Sequence, residues 1–116
     1  MTIATSISSG RKQLVELARK LDSLNLNRGT SGNCSLRTEY GFLITPSGID
    51  VTDLSPDDIV EMDLSGETLS VGNPSSEWRF HKDIMLLKTE TNAIVHILHL
   101  VWVSSRHRGN RSNKTS

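Results

Sequence analysis

One apolar stretch constrains this chain more than any other feature: residues 93–103, AIVHILHLVWV, branched and oily but broken by His96 and His99. It is too short to span a bilayer, which takes about 20 apolar residues. Its β-branched character instead predicts a buried strand, and a buried strand requires a sheet with further layers packed on it. The rest of the sequence should supply them.

Upstream, the segments are short and sharply punctuated. Ser8 and Ser9 can cap a helix, and Leu14, Leu17, Ala18, Leu21 and Leu24 follow at helical spacing. The Gly-, Ser- and Asn-rich run 29–33 leads into a strand near 34–37. A turn at 39–41 returns the chain through a second strand at 42–45, and Pro46-Ser47-Gly48 ends it. Ser55-Pro56-Asp57-Asp58 has the order of a helical first turn: cap, proline, acids. Residues 59–63 and 67–71 alternate apolar with polar around Ser65-Gly66, predicting a second hairpin. Pro74 to Glu77 opens a second helix over 78–88, before the apolar stretch. The order predicts an α/β domain, a mixed sheet flanked by helices, over residues 1–103. The polar, basic tail 104–116 has nothing to bury and is expected to be disordered.

Composition narrows the function. The chain has 116 residues, enough for one domain, and a formal net charge of zero from 13 basic and 13 acidic side chains. That balance gives no pull toward nucleic acid or an anionic membrane. A single cysteine, Cys34, excludes an internal disulfide and a cysteine-rich metal site. The start, MTIATSISSG, lacks the basic and apolar regions of a secretory signal, so a cytoplasmic protein is expected.

Three loops share a chemistry: Gly29-Thr30-Ser31-Gly32-Asn33, Thr45-Pro46-Ser47-Gly48 and Pro74-Ser75-Ser76-Glu77. Glycines let backbone N–H groups approach an anion, and hydroxyls and an amide add donors. The third loop opens a helix, whose N-terminus favours phosphate. If the loops meet, they make a phosphate cradle without a lysine; if not, they are ordinary turns and a cap. Glu77 is either a helix-start acid or a general base beside a bound phosphate ester. His96, inside an apolar strand, is either a hydrogen-bonded core histidine or a zinc ligand. His81 fits a structural role on the second helix, and His107 lies in the tail.

In order, the stretches GTSGNCSLR, GFLITPSGID, DLSPDDIVEMDLSGE, PSSEWRFH and NAIVH resemble the class II aldolase/adducin family, from about Leu14 to His96. The resemblance implies a three-layer αβα fold and a zinc-dependent lyase that cleaves a ketose 1-phosphate to dihydroxyacetone phosphate and an aldehyde. The family's sugar-phosphate epimerases, methylthioribulose-phosphate dehydratases and non-catalytic adducin-like modules are the alternatives. Residue by residue it assigns phosphate binding to Gly32, Asn33, Ser47, Gly48, Ser75 and Ser76, acid/base catalysis to Glu77, and the first zinc ligand to His96. It also implies a homo-oligomer, a tetramer in the family, acting on a small sugar phosphate.

The likeness fails just past His96. The family pattern is His-x-His, whereas this chain runs His96-Ile97-Leu98-His99. Strand residues three apart point to opposite faces, so His99 reaches the second ligand position only through a bulge. A catalytic zinc takes three protein ligands, and this chain offers one in register. The sequence therefore leads us to expect an incomplete domain, inactive by itself, with a shift of reading frame near Ile97. Another frame should then restore His-x-His.

Overall fold

A computed structural model describes residues 6–26, 32–97 and 100–105. Helix α1, Ile7–Ser23, starts two residues earlier than the serine pattern suggests, because the Ser6 hydroxyl accepts the Ser9 N–H at 3.2 Å and caps the helix. It ends where Asn25 takes a left-handed φ of 60°, a conformation asparagine tolerates. Strands β1 (Asn33–Arg37) and β2 (Gly41–Ile44) form the first hairpin, and β3 (Val60–Asp63) pairs with β2. Helix α2, Trp78–Leu87, leads to β4 (Thr91–Ile97) and β5 (Leu100–Ser105).

The five strands lie in the order β3-β2-β1-β4-β5, and every neighbouring pair is antiparallel. Helices cover both faces. On one, Leu14, Val15, Ala18 and Leu21 of α1 pack with Cys34, Leu43 and Ile97. On the other, Met85 of α2 packs with Phe42, Ile44, Met62 and Ile94. Successive strand residues face opposite ways, so Leu43 serves the first core while Phe42 and Ile44 serve the second. The helix–sheet–helix layering is that of the expected α/β domain.

Arginines fasten the layers. Arg11 donates to the carbonyl oxygens of Pro56 and Ile59, and Arg19 to that of Leu54 at 2.7 Å, tying α1 to the 3₁₀ turns Val51–Asp53 and Pro56–Asp58. Arg37 donates to the carbonyls of Met85 (2.7 Å) and Lys88 (3.3 Å) at the end of α2 and to that of Thr91 (2.6 Å) at the start of β4, tying the helix end to the sheet.

Four expectations change. The sheet expected to be mixed is antiparallel at every neighbouring pair, because hairpins and short returns connect its strands. Ser104 and Ser105, expected to open the disordered tail, belong to β5 and pair with β4. The return leg 67–71 forms an isolated bridge, Met62 to Thr68, rather than a strand. Its Leu69 and Val71 are exposed, so no core draws it into the sheet. The stretch 93–103 is two strands, not one buried strand. Eleven extended residues would reach roughly 36 Å, whereas the neighbour β1 has five residues to pair with. The chain instead reverses and pairs with itself, Ile97 opposite Leu100 and His96 opposite Val101. Leu100, Val101, Trp102 and Val103 are consequently exposed on the sheet edge. Residues 106–116 of the expected tail lie outside the described residues, as do Gly29, Thr30, Ser31 and His99.

Candidate active site

The described parts of all three loops converge at one end of the sheet, joined by a closed circuit of short contacts. Asn33, the first residue of β1, lies opposite His96 of β4 in the strand register. One residue on, the Cys34 N–H donates to Thr45 Oγ1 at 3.2 Å, and the Thr45 N–H donates to the Cys34 carbonyl at 3.1 Å. The Thr45 carbonyl accepts the Ser75 N–H at 2.9 Å, which clamps the second loop to the third. A bridge between Pro46 and Pro74 and a 3.0 Å bond from the Ser47 N–H to the Asn73 carbonyl reinforce the clamp. Ser75 Oγ accepts the Glu77 N–H at 3.1 Å. Glu77 Oε1 then stands 3.9 Å from His96 Nδ1, closing the circuit on β4.

Local sequence explains each placement. Gly48 holds a φ of 76°, so the second loop turns where a side chain would be strained. Pro74 and the serines keep residues 74–76 out of the helix, and α2 starts at Trp78 with Glu77 as its N-cap. Asn33 and Ser75 are buried, whereas Ser47, Gly48, Ser76 and Glu77 are exposed. The cluster thus has a rigid floor and an accessible rim. Beside Ser47 opens a cavity of about 340 Å³ that Asp57 and Asp58 also line. Those carboxylates disfavour an anion in that cavity.

His81, assigned a structural role from sequence, does more than fill space. It lies four residues after Glu77, and its side chain is fully buried. Its Nε2 is 2.5 Å from Asn33 Oδ1 and its Nδ1 is 2.7 Å from Ser35 Oγ. Burial, with the nearby His96 adding to it, pushes its pKa down to about 4, so the ring is neutral near pH 7. Thr45, a loop residue by sequence, carries the hydrogen bonds that join β1 to the third loop. Its only sequence signal was its place immediately before Pro46.

His96 is half-buried, its ring centroid is 5.2 Å from that of Phe80, and its Nδ1 is enclosed without a hydrogen-bond partner. An orphaned imidazole nitrogen suits a metal ligand. Among the described residues, however, no three His, Cys, Asp or Glu side chains gather to hold a metal. These residues alone do not make the zinc site implied by the sequence likeness. Cys34 is buried, and burial pushes its thiol up to about 12, which leaves it unreactive. No helix among the described residues is long and apolar enough to cross a membrane.

Comparison with known proteins gives this geometry a family. The chain is 49% identical over 86 residues to a 5-methylthioribulose-1-phosphate/5-deoxyribulose-1-phosphate aldolase of Rhodospirillum rubrum, covering 74% of this chain and 39% of the relative. It is 40% identical over 85 residues to the L-fuculose phosphate aldolase of Escherichia coli strain K12, covering 73% and 40%. Among solved structures, an L-fuculose 1-phosphate aldolase superposes with a TM-score of 0.74 at 34% identity, covering 80% of this chain and 45% of that one. The chain therefore spans about 40% of the length of the curated relatives it matches. Residues 12–109 match the model of the class II aldolase and adducin N-terminal domain, and the chain belongs to that family.

Proposed function

We propose that this chain carries the phosphate-binding and acid/base portion of a sugar-phosphate aldolase site. The observation that supports this most is the circuit joining Asn33, Thr45, Ser75, Glu77 and His96. In this proposal the phosphate of a ketose 1-phosphate sits against Gly32, Asn33, Ser47, Gly48, Ser75 and Ser76, where N–H and hydroxyl donors and the N-terminal end of α2 favour an anion. Anchored there, the substrate has lost most of its orientational freedom, which is the larger part of the loops' contribution.

Glu77 is the acid/base residue. It is exposed at the rim, its backbone is fixed by Ser75, and its carboxylate faces His96. In the cleavage direction it exchanges a proton with the substrate as the carbon–carbon bond breaks. Zinc, which the family likeness implies, would take His96 as one ligand. Among the described residues no three candidate ligands gather around His96, and no step proposed here runs through the metal. We accordingly propose that the chain binds a phosphate ester but does not turn it over by itself.

Calorimetric titration with L-fuculose 1-phosphate and with L-fuculose tests the proposal. Binding of the ester but not the free sugar, abolished in a Ser75→Ala/Ser76→Ala variant and retained in Glu77→Gln, is expected. Equal binding of both sugars, or binding indifferent to the serines, would remove the phosphate assignment. Release of dihydroxyacetone phosphate by the chain alone would show that the site is more complete than proposed.

A further inference from the structure

The carboxamide of Asn33 has an oxygen end and an NH2 end, and only the NH2 end can receive a phosphate. We propose that His81 is a positioning residue that commits the Asn33 oxygen inward and so presents the amide's donors to the anion. This rests on the phosphate-binding role proposed for Asn33.

With the Asn33 oxygen against the ring, the donors and acceptors of the buried trio follow in turn. An amide oxygen only accepts, so the bond between His81 and Asn33 Oδ1 requires the proton on Nε2. A neutral ring then has a bare Nδ1, which must accept, and Ser35 Oγ–H at 2.7 Å is its donor. Ser35 and His81 are both fully buried, so water cannot substitute for either partner. In this arrangement the chain of donation runs Ser35 to His81 to Asn33, and its last link holds the amide oxygen against the ring. Were the ring in its other tautomer, Nε2 would be bare and the amide would turn its NH2 inward. Its oxygen would then be offered to the phosphate, replacing attraction by repulsion. His81 reaches Asn33 because it lies one turn along α2 from Glu77, so the same helix that starts at the candidate base also sets the amide.

The test uses the full chain, with inorganic phosphate as the probe and nitrogen-15 NMR as the readout. In the unaltered protein the His81 ring is expected to show a neutral, Nε2-protonated tautomer at pH 7. His81→Gln, which can still place an N–H against Asn33 Oδ1, should keep the phosphate affinity. His81→Leu should lose about tenfold, the effect of one hydrogen bond's loss on a binding group. An Nδ1-protonated ring, or equal affinity in a folded His81→Leu variant, would overturn the inference while leaving the phosphate site standing. If His81→Leu does not fold, the tautomer and the His81→Gln affinity still decide. Failure of the unaltered chain to bind phosphate would overturn both this inference and the proposal beneath it.

Discussion

Strands β2 and β5 are both rich in apolar residues, yet they have opposite fates. Every residue of β2, Gly41–Ile44, is buried, because β1 and β3 flank it and α1 and α2 cover its two faces. Every residue of β5, Leu100–Ser105, is exposed, because it lies at the sheet edge with β4 as its one neighbour. Apolar sequence thus allows burial but does not secure it; burial depends on what else is there to cover the strand. The candidate site sits between the two regimes, on the loops of the packed half and on His96 of β4, whose other neighbour is the exposed edge.

The sharpest way to break this contrast is to cut into β2. Phe42→Ala empties a fully buried ring position and should cost about 3–5 kcal/mol, enough to unfold much of the chain in a urea melt. Loss of under about 1 kcal/mol would mean that the core is looser than its burial implies.

Next in size is a pH effect from the buried histidine. The folded pKa of His81, about 4, lies below the usual 6.5, so between those values the unfolded chain binds more protons than the folded one. Stability should therefore fall as pH drops from about 6.5 to 4, by at most about 3 kcal/mol from this residue. His81→Gln should flatten that slope in melts taken across the window. An unchanged slope would assign the acid sensitivity elsewhere.

Thr45→Val tests the junction between the halves. It leaves the buried Cys34 N–H without its acceptor and should cost about 1–3 kcal/mol, with weaker phosphate binding as the third loop loosens. Smallest of all, Trp102→Lys on β5 should change stability by less than about 0.5 kcal/mol and reduce aggregation by charging an open edge. A cost of several kcal/mol would show that β5 is covered in solution and that the contrast with β2 is false.

These differences also explain what the sequence disclosed. The helices, the first hairpin and the strand at 60–63 were legible because local signals and packing agree there: Leu14, Leu17, Ala18 and Leu21 repeat at helical spacing. The Gly, Ser and Pro loops were legible as three similar chemistries, but their convergence was not. It depends on Thr45, whose bonds reach Cys34 and Ser75 across the sheet. Residues 93–103 read as one strand because periodicity cannot distinguish a long strand from two paired strands with no glycine or proline between them. In sequence His81 reads as structural, and only its two partners, Asn33 and Ser35, far away in sequence, tie it to the site.

Whether the three loops form one phosphate site is decided by titrating the nitrogen-15-labelled chain with inorganic phosphate and following its amide shifts. If they do, the amides of Gly32, Asn33, Ser47, Gly48, Ser75 and Ser76 move together along a single binding curve, while those of β5 stay still. Amides that move on separate curves, or do not move at all, would contradict a single phosphate site.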